Sequence, residues 1–417
     1  MKILSSFLFI ASLAASGCAN DATVKPTVDG KQAQGHHHVP EKTGICADPK
    51  ALPVNLCADT ISSAFDNQGV VWITWANNDR LYVQSSKDKG ISFSTPVLIN
   101  SKPEAIAADG ESRPKVKLDA QGNIYLTWVL TLDKKRSTYV RFSHSTDGGK
   151  HFSEPVTVND NVEIIRHRFD SMAIGKNGEI FIAWLDARDI EAEKKAGHEF
   201  KGLSLYYTWS KDGGAHFYPN QRIATHTCEC CRLATDIAPD NTPVISWRHV
   251  FDGDIRDHAL VKFNDWNTPG DTQRVGQDNW KIDACPHHGP GLSISASGIY
   301  HEVWFSNSPT RQGLFYAYST DSGQHFSEQL KFGNEGASHP HVLALGSQVR
   351  VVWQEFDGTN NVIKLMKSAD DGKSWSEPES IAQTAQSGDQ PFLIGDNGKF
   401  YLSWKTQQQA FQLKLVE

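Results

Sequence analysis

This chain of 417 residues has no basic excess: 41 Lys and Arg stand against 48 Asp and Glu, a net charge of −7, so a nucleic-acid surface has no electrostatic support. Long apolar runs are missing after the first fifteen residues, which excludes a polytopic membrane protein. No Gly-x-y period or sustained heptad is present, so collagen and coiled coil fall away too. Phosphate loop, dinucleotide fingerprint, hydrolase serine elbow and Cys-x-x-Cys-His haem site are all absent. Cysteine is sparse at 7 and methionine sparser at 3, whereas Trp, with 12, is plentiful. With 39% hydrophobic and 21% charged residues the composition is globular.

The first segment reads as an export signal. Lys2 precedes the apolar run from Ile3 to Ala15, and Ala15-Ser16-Gly17-Cys18 resembles the lipobox of bacterial lipoproteins, in which the Cys thiol carries the lipid. The resemblance implies a signal peptide over 1–17, Cys18 as lipid anchor, and a bacterial cell-envelope location. Ala19, in place of the Asp that favours inner-membrane retention, points to the outer membrane. Residues 18–44 are polar and without an apolar period, a flexible tether. Residues 45–417 form the remaining domain.

That domain is repetitive. The pattern Ser-x-Asp-x-Gly-x-x-aromatic occurs five times: at Ser86 to Phe93, Ser145 to Phe152, Ser210 to Phe217, Ser319 to Phe326 and Ser368 to Trp375. Its chemistry is that of a hairpin corner, with Ser and Asp bonding turn amides, Gly taking a positive φ and the aromatic packing beneath. A second marker, Trp at the end of a strand, recurs at Trp75, Trp128, Trp184, Trp247, Trp304, Trp353 and Trp404, spaced 49 to 63 residues apart. That spacing fits a four-stranded propeller blade with its loops. The five corners resemble Asp boxes, and the chain resembles the Asp-box (bacterial neuraminidase repeat) propellers of the sialidase superfamily. The expected fold is therefore all-β, a propeller of seven four-stranded blades. A six-bladed ring with a detached terminal hairpin is the alternative, since sialidases have six. The last repeat supplies only three strands, and Leu52 to Leu56 matches the fourth strands of other repeats, so an N-terminal strand is expected to close the ring.

In a propeller, the residues preceding each innermost strand converge on one mouth of the central channel. They are Arg113, His167-Arg168, Cys228 to Arg232, Cys285 to His288, His339 to His341, and Asp389-Gln390. Three chemistries fit this ring. Sialidases hold a carboxylate with three Arg, which implies an anion- or ligand-binding role for Arg113, Arg168 and Arg232. The Arg-Ile-Pro motif is incomplete at Ser112-Arg113-Pro114, and no catalytic Tyr and Glu pair is found, so an active exo-glycosidase of sialidase type is the rival reading. Second, Cys228, Cys230, Cys231 and Cys285 with His287, His288, His339 and His341 offer soft donors suited to copper first and zinc second. Third, the compartment is oxidising: Cys46 and Cys57 flank the closing segment and can staple it. Cys228, Cys230, Cys231 and Cys285 then remain as an even set that disulfides could staple, leaving a glycan- or protein-binding scaffold. The leading expectation is a lipid-anchored, monomeric propeller binding a soft metal ion or a metal-bearing partner at the channel mouth. Its partners are the membrane through the lipid and a metal ion, glycan or periplasmic protein, with no nucleic acid.

Overall fold

The computed structural model describes residues 44–48, 54–132 and 137–417. The signal peptide, Cys18 and the tether lie outside them, apart from Gly44. Among the described residues no helix is long and apolar enough to cross a membrane.

Seven antiparallel sheets form seven blades. The innermost strands are Ile61–Phe65, Lys115–Leu118, His167–Ile174, Ala234–Ile237, Gly291–Ile294, Ser338–Leu345 and Phe392–Asp396, each followed in its blade by progressively outer strands. Each innermost strand touches the next, and the seventh touches the first, so the ring is closed. The seven-bladed expectation holds over the six-bladed one.

The Trp period has a packing reason. Trp75, Trp128, Trp184, Trp247, Trp304 and Trp353 are fully buried and Trp404 nearly so, each at the centre of its blade. A buried indole N–H needs an acceptor. Each has one: Gln84 for Trp75, Glu104 for Trp128, Asp186 for Trp184, His249 for Trp247, Asp278 for Trp304, Glu355 for Trp353 and the Asp389 carbonyl for Trp404, at 2.7–3.3 Å.

The five Ser-x-Asp-x-Gly corners share one geometry. The Ser hydroxyl accepts the Gly amide at 2.7–3.0 Å and donates to the Asp carboxylate at 2.8–2.9 Å. The same carboxylate accepts the amide four residues on, from Ser92, His151, His216, His325 or Ser374. Each corner packs on the preceding blade. Gly372, at φ +80°, lies so closely against Tyr316 that a Cβ would collide with its hydroxyl. Trp375 meets the Tyr316 ring edge-on at 4.7 Å.

Ring closure differs from the expectation. Among the described residues the seventh sheet has three strands, Phe392–Asp396, Lys399–Trp404 and Gln412–Val416, with no N-terminal strand beside them. Asn55–Cys57 is a 3-10 turn, and Leu52 and Pro53 lie outside the described residues. The turn is tied instead by the Cys46–Cys57 disulfide. Side chains close the seam. Phe93 of the first corner meets Phe411 edge-on at 5.8 Å, Phe65 packs on Tyr401, the Ser63 and Ser403 hydroxyls bond at 2.8 Å, and Lys89 pairs with Asp396 at 2.6 Å. The corner of blade one packs on the seventh blade as every other corner packs on its predecessor.

Candidate functional site

The predicted convergence on one mouth is present, but the residues divide into two groups with different chemistry. Above a channel of about 290 Å³, lined by all seven innermost strands, lies an ionic hub centred on Glu111. Its carboxylate accepts the Arg232 amide at 2.9 Å, an Arg232 Nη at 2.7 Å, the Gly289 amide at 3.1 Å and the Gln390 side-chain amide at 3.0 Å. Arg232 also donates to Gln390 and to the Pro340 carbonyl at 3.1 Å. One carboxylate therefore joins blades two, four, five and seven, and Arg232 adds blade six. Burial alone pushes the Glu111 carboxyl up. The Arg232 guanidinium and His339 outweigh that and hold it well below the usual range.

Arg113 is spent similarly. It forks onto Asp389 at 2.9 and 2.6 Å, donates to the Ile61 carbonyl at 3.2 Å and lies over the Phe392 ring. This pair bolts blade seven to blade two across blade one. Arg168 is more open, donating to the half-exposed Asp109 at 3.3 Å. Two of the three candidate arginines are thus buried and neutralised by carboxylates, so the charge each offers an incoming anion is largely cancelled.

The histidines join this hub and the channel. The His288 and His339 rings meet at a tilt with centroids 4.5 Å apart, and burial holds His288 well below the usual imidazole value. His341 lines the channel, accepts the Leu393 amide at 3.3 Å, and is pushed down to about 3 by burial and by the neighbouring cations Arg232, Lys117 and Arg113. His287 is exposed.

The cysteines form the second group. Cys228, Cys230 and Cys231 are 1–3% exposed, with Sγ separations of 3.8, 3.9 and 3.8 Å. Among the described residues they are the single set of three or more His, Cys, Asp or Glu placed to share one ion. The local sequence explains this: a one-residue spacer followed by adjacent cysteines, in a tight turn before Ala234–Ile237, aims three short side chains at one point. Both ends are pinned, since the Cys228 amide donates to the Arg248 carbonyl at 2.9 Å and the Arg232 amide to Glu111. Cys285, exposed and on the segment leading into blade five, stands outside the triangle.

Electrostatics favour a thiolate here. Arg256 Nη1 donates to Cys228 Sγ at 3.3 Å. Hydrogen bonds from Cys230 and Cys231, reinforced by Arg248 and Arg256, hold Cys228 well below the ordinary thiol value. The partners of that thiolate stay protonated: Cys230 is pushed up by its hydrogen bonds to Cys228 and Cys231, and Cys231 by burial. Arg248 is fully buried and ties the site together, donating to the carbonyls of Arg256, His288 and Phe305 at 2.8–3.0 Å.

Neither Glu111 nor Arg256 occupies the repeating position before an innermost strand. Glu111 lies only two residues before Arg113, so an acid beside a candidate arginine was the available signal. Arg256 sits in a loop of blade four with no periodic phase, and nothing in the sequence marks it.

No family model matches the chain, and no curated protein does. Solved structures do, at the level of the fold. An ulvan lyase, a polysaccharide lyase bound to a GlcA(1-4)Rha3S unit, superposes with TM-score 0.55 at 11% identity, over 85% of this chain and 91% of that one. A protein of unknown function from Dyadobacter fermentans gives 0.52 at 13% identity, over 86% and 96%. A Hadza microbial sialidase gives 0.50 at 12% identity, over 83% and 76%. The chain shares the propeller fold of sialidases and polysaccharide lyases.

Proposed function

We propose that this is an exported propeller, lipid-anchored through Cys18 in the bacterial cell envelope, whose channel mouth carries a soft metal site built from Cys228, Cys230 and Cys231. Copper is the first candidate ion and zinc the second. The observation that carries the reading is the sulfur triangle. Three thiolates about 2.3 Å from one ion stand ~3.8 Å apart in a tetrahedron and ~4.0 Å apart in a trigonal plane, and the edges here are 3.8–3.9 Å. Binding displaces the two thiol protons, and Arg256 and Arg248 offset the negative charge that a thiolate-rich centre retains. Four unbridged cysteines beside one formed disulfide also support a thiol role over stapling.

The test is metal analysis of the full chain isolated without chelators, with thiol titration in parallel. The reading expects one copper or zinc per chain, lost in the Cys228→Ser, Cys230→Ser, Cys231→Ser triple variant. A metal-free protein that takes up neither ion when reduced, or one whose four cysteines are all bridged, contradicts it.

The fold likeness to glycan-processing propellers favours a second reading, an acidic glycan held at the same mouth. Arg168 is its best anchor, being the most exposed of the three arginines. Binding or cleavage of a sialoside or of ulvan that falls at least tenfold on Arg168→Ala supports it; no turnover and no binding removes it.

A further inference from the structure

We propose that the sulfur triangle is a transfer site: Cys285 is its exchangeable fourth ligand, and the ion passes through that position to and from an external thiol. This rests on the reading of the triangle as a metal site and deepens it.

The four cysteines are not equivalent. Cys228, Cys230 and Cys231 come from one turn, are buried and are pinned at both ends. Cys285 is exposed and belongs to a different segment. That segment is anchored where it begins, with the Ile282 amide bonded to the Asp254 carbonyl and the Ile282 carbonyl accepting Arg256 Nε at 2.8 Å. It is anchored again at its end, where the His288 carbonyl accepts Arg248, its ring packs on Phe305, and the Gly289 amide meets Glu111. Between these points, among the described residues, no backbone amide from Asp283 to His287 donates a hydrogen bond. A stretch held only at its ends opens at low free-energy cost, whereas the turn beneath it does not.

The placement of Cys285 fits this role. It lies outside the set of sulfurs that can share one ion, so it must swing inward to complete a tetrahedron. In the outward position it leaves the fourth side of the ion open. A resident structural metal is enclosed by four equivalent ligands. Three fixed sulfurs and one mobile, solvent-facing sulfur instead permit stepwise exchange. The bond from the ion to Cys285 Sγ breaks and that thiolate takes a proton from water, while an external thiol loses its proton and forms the new metal–sulfur bond. The ion keeps its oxidation state throughout.

Zn2+ is the suitable probe because it has no redox chemistry. The reduced full chain is loaded with one equivalent, and release to the chromogenic chelator 4-(2-pyridylazo)resorcinol is timed in the presence of increasing glutathione. The wild type is expected to release faster as glutathione rises. Cys285→Ser is expected to retain one Zn2+ per chain but to release it at least tenfold faster, whereas Cys230→Ser fails to retain it. Cys285→Ser matching the wild type would show that Cys285 is no ligand, and Cys285→Ser losing the ion as Cys230→Ser does would show a permanent one. Either overturns the proposal, as does a wild-type rate indifferent to glutathione. A wild type that takes up no Zn2+ or copper at all instead refutes the underlying reading. Thermal unfolding of the metal-free variants controls for folding.

Discussion

Replacing Arg113 by Met removes the cation from the bolt between blades seven and two while keeping most of the side-chain volume. Arg113 and Asp389 are 6% and 4% exposed and bonded twice, at 2.9 and 2.6 Å. Removing one partner of such a pair leaves an uncompensated buried charge and costs about 3–5 kcal/mol. Asp389 would keep only the amides of Ile61 and Gln390. For a domain of this size that cost corresponds to a fall of roughly 4–6 °C in Tm. The loss must also depend on pH. Burial already pushes the Asp389 carboxyl up, and Arg113 restrains it. Without Arg113 the carboxyl rises further and can be neutralised by a proton, so the penalty is larger at pH 8 than at pH 5. Thermal unfolding of Arg113→Met and the parent at both pH values measures this. A difference below about 1 °C, or one equal at the two pH values, would refute the seam as described, since an exposed pair behaves that way.

The corners yield further expectations. Gly372→Ala must both strain a positive φ and collide with the Tyr316 hydroxyl, whereas Gly398→Ala, at φ +74° with nothing within 4 Å, faces only the backbone term. The first should cost clearly more than the ~1 kcal/mol of the second in denaturant unfolding; equal costs would contradict the packing of corner on preceding blade. Asp88, Asp212, Asp321 and Asp370 are held down to about 2, chiefly by hydrogen bonds from the residue four positions on, and Asp147 is lower still. Their unfolded value is about 3.9, so the unfolded chain binds protons first as pH falls. The corners' contribution is complete above pH ~4 and lost towards pH 2. Thermal midpoints should drop through that window, and a flat profile there would count against the corners.

The ring was legible because its markers are local and periodic. A Trp that needs a blade centre, and a Ser-Asp-Gly corner that needs one turn geometry, repeat wherever a blade repeats. The seam was not legible, because its bonds are neither: Arg113 and Asp389 are 276 residues apart, and no period links them. Leu52 to Leu56 resembles an outer strand in pattern, yet Asn55–Cys57 is a turn beside a disulfide. At the mouth, spacing alone brought Cys228, Cys230 and Cys231 together, since side chains this close in a tight turn have few other directions. Phase placed the histidines and arginines at the same mouth but could not say where they point. Glu111 and Asp389, which neutralise Arg232 and Arg113, decide that, and their role depends on side-chain direction.

X-ray absorption at the metal edge, on chain loaded with one equivalent of copper(I) or zinc, tests the sulfur triangle most directly. The account predicts three or four sulfur neighbours at about 2.3 Å, replaced by oxygen and nitrogen in the triple Ser variant. A first shell of nitrogen and oxygen at about 2.0–2.1 Å in the unsubstituted protein would place the ion elsewhere and contradict it.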